Sequence, residues 1–314
     1  MWYLNRLTST NEVIYRDKFL VDLKKRLAKL DDKILDVLMP GGKDDKIKAL
    51  LIAQPETLYP LNDDLEQDLV KNGQWTNEAK DAIFSAFNYD GVISRNSEIS
   101  YWLAGIIGRN TCPYCNRLYT ITIAETSTKA HVVRPDFDHW LDKAKHPLLS
   151  LSLYNLIPTC QCCNRSIKNQ QHFMNGEHVH PYVGTEPSFH FEYVLAPGNH
   201  WSVRMIGMSS KEKATDEILH VEDAYRTHGD LEVRDMVEFF RCNTPEYLAD
   251  LYEKVLHGNS GQISQEEAFR LFMGAEWDSE NYLDRPLSQL KKDVFSQLVK
   301  DVACIKVHEE NDNV

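Results

Sequence analysis

Two Cys-x2-Cys pairs, Cys112/Cys115 and Cys160/Cys163, constrain this chain more than any other feature. Each pair forms a knuckle that offers two thiolates to one ion, and two knuckles supply the four corners of a tetrahedron. Four sulfur ligands saturate zinc and leave no open position, so the spacing predicts a structural zinc site. The chain has seven cysteines. Cys162 lies inside the second pair and is a substitute ligand of poorer spacing, while Cys242 and Cys304 stand alone. An odd count in a chain without an export signal disfavours a disulfide framework. The competing reading is that the cysteines pack as small buried hydrophobes.

Chemistry-bearing residues cluster between and just after the knuckles. Asp136-Phe137-Asp138-His139-Trp140 comes first, then Asn155-Leu156-Ile157-Pro158, then Asn164-Arg165-Ser166-Ile167-Lys168 directly after Cys163. Together with the bracketing cysteines, this arrangement resembles the HNH, or ββα-metal, endonuclease family over Cys112 to Lys168. Its chemistry is physically coherent. Hydrolysing a phosphodiester needs an in-line water, a base to deprotonate it and a cation for the charge on the leaving oxygen. A neutral histidine can be that base near pH 7, and a carboxylate can hold a hard cation through oxygen. Strand geometry sends Asp138 and His139 to opposite faces.

The resemblance implies roles for single residues. Asp138 would be a metal ligand, His139 the general base, and Asn155 the brace of the histidine's loop. Asn164 would stand at the family's third position, often a histidine, and as an amide it favours Mg²⁺ or Mn²⁺ over softer metals. On an α-helix Lys168 lies one turn after Asn164 on the same face, which points it at the scissile phosphate, with Arg165 as a second phosphate contact. Asp136, two residues before Asp138, is a rival ligand. His178 and His180 form a His-x-His pair without a third partner, which reads as ordinary loop or strand-edge structure.

A second layer of likeness narrows the class. Ile107-Gly108-Arg109-Asn110-Thr111-Cys112-Pro113-Tyr114-Cys115-Asn116-Arg117, Leu151 to Cys160, and His180-Pro181-Tyr182 are similar to HNH proteins of bacterial anti-phage systems. The Septu and retron-associated HNH subunits are proteins of this kind. That likeness implies an antiviral defence role beside an ATPase partner.

Outside this core the chain reads as helical. Leu20, Leu23, Leu27, Leu30, Ile34 and Val37 recur at steps of three and four until Pro40-Gly41-Gly42, predicting a helix packed on its own domain rather than a coiled-coil seam. Further helices are predicted near 64–71, at 77–87 capped by Thr76 or Asn77, and at 97–107. Phe189, Phe191 and Tyr193, a Pro197-Gly198-Asn199 turn, then Trp201, Val203 and Met205 read as a β-hairpin. Helices return from about 211, with Thr244-Pro245 as a cap, a Ser264/Glu267 capping box and a frayed acidic end at 309–314. The fold class expected is α+β and mostly helical: a ββα-metal core with a four-cysteine zinc staple, flanked by helical regions. The expected divisions are 1–95 helical, 96–185 nuclease core with knuckles, and 186–314 hairpin plus helices.

Charge and missing motifs exclude several classes. The net charge is −12, which disfavours a general nucleic-acid sponge. Residues 109–168 nevertheless carry eight Lys and Arg against four Asp and Glu, a local +4 that leaves −16 elsewhere. Such an island suits a localised phosphate site, with DNA the expected substrate and RNA left open. No Gly-x-Ser-x-Gly elbow occurs, and Gly41-Gly42-Lys43 lacks P-loop spacing, so no nucleoside triphosphate is expected on this chain. No apolar run reaches membrane-spanning length, and the first residues lack a secretory layout, so a cytoplasmic location is expected. The rival from another class is a non-catalytic zinc module that binds nucleic acid or protein. It would need the cysteines but neither Asp138 nor His139.

Overall fold

The computed structural model of the chain describes residues 1–125, 130–243, 247 and 263–311, with backbone alone at 125 and 301–311. The expected Thr244-Pro245 cap and the last three residues lie outside the described residues. The fold is α+β and mostly helical, with three two-stranded sheets among the described residues. No helix among the described residues is long and apolar enough to cross a membrane. The chain forms two compact units: Tyr3–Arg109 with Thr120–Gly184, and Met1–Trp2 with Asn110–Tyr119 and Thr185–Val314. Both units are discontinuous in sequence: residues 110–119 group with 185–314, and the N-terminal helices share a unit with the Asp-His region.

In the unit of Tyr3–Arg109 and Thr120–Gly184, six helices come first: α1 Ser9–Leu27, α2 Asp32–Leu38, α3 Asp45–Ile52, α4 Pro55–Lys71, α5 Asn77–Phe87 and α6 Ser97–Ile107. Side chains of Thr8, Asp31, Thr76 and Asn96 cap four of them by accepting backbone N–H bonds, which satisfies donors that a helix start leaves orphaned. The Leu20–Val37 stripe divides between α1 and α2, because Ala28 ends one helix and Asp31 starts the next. Leu23, Leu27, Ile34 and Val37 are buried, and α1 packs on α3 and α5. The stripe is core of its own unit.

Two short strand pairs and a helical segment follow. Strands β1 Ile123–Glu125 and β2 Ala130–Val133 form a ribbon. Strand β3 Asp136–His139 pairs antiparallel with β4 Leu156–Thr159, in the register Asp136↔Thr159, Asp138↔Ile157 and His139↔Leu156. A helical segment, Cys162–Lys168, comes directly after β4 and packs on β3. It is π-wound rather than α, as the bond from Asn169 N–H to the Asn164 carbonyl (3.1 Å) records. The order is therefore strand, antiparallel strand, helical turn.

The other unit is built on the hairpin of β5 His190–Ala196 and β6 His200–Ile206, with the expected turn between them. Gly198 and Asn199 both take positive φ there (87° and 62°), a backbone that these two residues tolerate best. Helices α7 Ser210–Leu219, α8 Val221–Arg226, α9 Arg234–Cys242, α10 Gln265–Met273 and α11 Ser288–Asn311 surround it. Capping boxes Ser209/Glu212 and Ser264/Glu267 start α7 and α10. Helix α11 runs along β5, where Asp293 accepts from Phe191 N–H (2.9 Å) and Gln289 donates to the Phe189 carbonyl (2.7 Å). Trp2, Phe191 and Tyr225 stack in the core of this unit.

Candidate functional site

The four knuckle cysteines are buried, and their sulfur atoms all lie within 4.8 Å of one another. Zinc–sulfur bonds of about 2.3 Å place tetrahedral sulfurs roughly 3.8 Å apart, so the cluster can close on one ion. Local backbone shapes each knuckle. Cys163 N–H points at the Cys160 sulfur (3.4 Å), and Arg117 N–H at the Cys115 sulfur (3.5 Å). Asn116, which follows the first pair, is fully buried at φ 45°, and its amide donates to Thr111 Oγ1 and to the Tyr282 and Arg285 carbonyls. Cys162 is exposed and stands outside the cluster.

The Asp-His region opens on a cleft of about 500 Å³. Strand alternation puts Asp136 and Asp138 on one face of β3 and His139 on the other, and because the strand ends at His139, all three line the cleft. His139 is buried, with Tyr89 edge-on to its ring at 4.4 Å. Its Nε2 lies 3.0 Å from the Ser150 carbonyl. A carbonyl only accepts, so Nε2 carries the proton and Nδ1 is left as the acceptor. Burial lowers the imidazole pKa to about 3, Lys143 and Lys168 lower it too, and the Ser150 bond opposes them. His139 is thus neutral at physiological pH, with Nδ1 unprotonated.

Asn155 sets the loop behind this histidine. It is fully buried, its Oδ1 accepts from Leu141 N–H (2.8 Å), and its Nδ2 donates to the Leu141 and Leu149 carbonyls (3.0 and 3.3 Å). The Trp140 N–H bonds the Asn155 carbonyl (2.9 Å). One side chain therefore ties both ends of the loop that delivers the Ser150 carbonyl to His139.

The helical segment lays its polar edge along the acidic face of β3. Arg165 forks onto Asp136 (2.7 and 3.0 Å), and the Asn164 amide approaches the same carboxylate at 3.4 Å. Lys168, only 4% exposed, donates to Asp138 Oδ2 (2.6 Å) and to the His139 carbonyl (2.8 Å), with its ammonium 4.8 Å from the Phe173 ring centroid. The ammonium expected to reach a phosphate is therefore engaged by Asp138 within the protein.

His178 and His180 are core residues. The His180 ring nitrogens meet Tyr59 Oη (2.7 Å) and Tyr182 N–H (3.1 Å), and His178 Nδ1 accepts from Met174 N–H (3.0 Å). Burial lowers the His180 pKa to about 3. Sequence reasoning missed Arg134. It lines the cleft, lies 5.6 Å from the Phe137 ring centroid, and among the described residues forms no ion pair. Its signal was a lone arginine before Pro135, which carries no motif. Lys143 and His172 also line the cleft, paired to Asp90 (2.8 Å) and Asp142 (3.1 Å).

No family model, curated protein or solved structure matches the chain. The donors do not fit a divalent ion as they stand. Among the described residues, the cysteines alone form a convergent group of three or more His, Cys, Asp or Glu ligands, and Asp138 already holds an ammonium.

Proposed function

We propose that this chain is a phosphodiester hydrolase of the HNH, ββα-metal kind, with a zinc-bound cysteine cluster beside it. The single observation that carries the reading is His139: a buried, neutral imidazole at the end of a strand, next to Asp138, with its Nε2 proton fixed on the Ser150 carbonyl. That arrangement orients one lone pair as a base, and the Asn155 brace holds it there. The antiparallel β3–β4 pair followed by a helical turn supports the same reading.

The base takes the proton of an attacking water, and the cleft cations receive the phosphate. Arg134 and the exposed Arg165 are the groups best presented to it, while Lys168 supports it from the protein side. DNA is the substrate proposed, with a bacterial defence role and an ATPase partner resting on the motif likeness alone. A Mg²⁺ or Mn²⁺ ion on Asp138 and Asn164 belongs to the same reading, and it requires Lys168 to leave Asp138.

A second reading has one observation in its favour. The Lys168 ammonium neutralises the Asp138 carboxylate within the fold, a structural pairing that a non-catalytic zinc module binding nucleic acid or protein would also hold. Incubation of the zinc-loaded protein with single- and double-stranded DNA and RNA, with Mg²⁺, with EDTA and as His139→Ala, separates the two. Metal-dependent cleavage lost in the variant supports the hydrolase. Binding without cleavage under every condition would leave the binding module standing.

A further inference from the structure

We propose that Lys168 is the resident counter-cation of Asp138, and that a divalent ion reaches this carboxylate only by displacing the lysine ammonium. This deepens the hydrolase reading and rests on it. Lys168 is held by three kinds of contact at once: the Asp138 carboxylate at 2.6 Å, the His139 carbonyl at 2.8 Å and the face of Phe173 at 4.8 Å. Its side chain is 5% exposed and that of Asp138 10%. A carboxylate so little hydrated demands a cation, and an ammonium so little hydrated demands an anion.

Mg²⁺ binds carboxylate oxygen at about 2.1 Å. An ion there and an ammonium on the same carboxylate sit within a few ångströms, where like charges repel strongly at low dielectric. The two cations therefore exclude each other. The cleft rests closed to metal in its lysine-bound form, and the cost of expelling Lys168 weakens metal affinity. A divalent ion on Asp138 would therefore require the buried ammonium to find another anion first.

The test is Mn²⁺ binding, read by the loss of the free-ion electron paramagnetic resonance signal, on zinc-loaded protein without nucleic acid. Wild type, Lys168→Gln, Lys168→Arg, Asp138→Asn and the Asp138→Asn/Lys168→Gln double variant are compared. Lys168→Gln should bind Mn²⁺ at least tenfold more tightly than wild type. Lys168→Arg, which keeps the charge, should stay close to wild type, and both proteins lacking Asp138 should lose the site. Equal or weaker affinity in Lys168→Gln overturns the proposal, as does tight binding that survives in the double variant.

If Lys168→Gln does not fold, the lysine ¹⁵N ammonium resonance of wild type, assigned by its loss in Lys168→Arg, decides under a Mg²⁺ titration. A resonance that moves with Mg²⁺ supports displacement, and one that stays fixed while Mg²⁺ binds overturns it. Cleavage assays are not part of this readout. An intact competition with no cleavage sinks the hydrolase alone, whereas cleavage with no competition sinks only the lysine.

Discussion

Lys168 Nζ lies 2.6 Å from Asp138 Oδ2, joining the end of the helical segment to the strand that ends in His139. Both partners are nearly out of water, so their separate removal is costly even if the pair contributes little against an apolar substitute. Lys168→Ala should cost about 3–5 kcal/mol, as typical for a buried charge left unpaired. Asp138→Asn/Lys168→Met should recover much of that loss in urea denaturation. A double variant as unstable as the sum of its singles would show that the two side chains do not act as a pair.

Zinc should be present at about one ion per chain by elemental analysis, with the four cysteines as its ligands. Cys160→Ser should lower both zinc content and thermal stability, because metal binding contributes directly to folding in such a cluster. A zinc-free preparation with an unchanged melting temperature would remove the metal from the account.

His139→Ala should lower cleavage by at least the ~10²–10⁴-fold typical of losing a general base. The variant should remain folded and keep its zinc, since His139 is not one of the four clustered ligands. Unchanged cleavage would place the base elsewhere.

Asn155→Ala should destabilise by about 2–4 kcal/mol, because it strands the Leu141 N–H and carbonyl inside the protein, each costing roughly 1–3 kcal/mol. Hydrogen exchange should rise across 140–149 first, and activity should fall with it. Protection that is lost uniformly, or not at all, contradicts a local brace.

Acid should destabilise the native state well before the carboxylates titrate. His139 and His180 stay neutral in the fold down to about pH 3, whereas an unfolded histidine takes a proton near pH 6.5. Between those values the unfolded chain binds more protons, so stability is fully present above about pH 6.5 and is lost as pH falls towards 3. Each histidine contributes a slope of at most about 1.4 kcal/mol per pH unit. Urea midpoints at pH 7, 5.5 and 4.5 should fall in that order, and His180→Gln should flatten the decline. A midpoint independent of pH over this range would mean that the two rings are not buried neutral.

Sequence by itself determined the features that depend on local spacing. Cys-x2-Cys pairs fix knuckles because two thiolates three positions apart face one point, and capping residues such as Thr76 and Ser264 mark helix starts by their own backbone bonds. The hairpin around Pro197-Gly198-Asn199 was legible for the same reason. The Leu20–Val37 stripe announced burial, but not the break at Ala28–Asp31, since its spacing runs through the gap without interruption.

Only tertiary structure decided the partners of the charged residues. Nothing near Lys168 in the sequence reveals that its ammonium returns to Asp138, thirty positions earlier, because that depends on how the 162–168 turn is wound and packed on β3. The same holds for the Ser150 carbonyl that fixes the His139 tautomer, for the tie of Asn155 to Leu141 and Leu149, and for Arg134 in the cleft. Spacing specifies which side chains share a face, but an ion pair or hydrogen bond between distant segments depends on depth, dielectric and reach, and these exist only once the chain has packed.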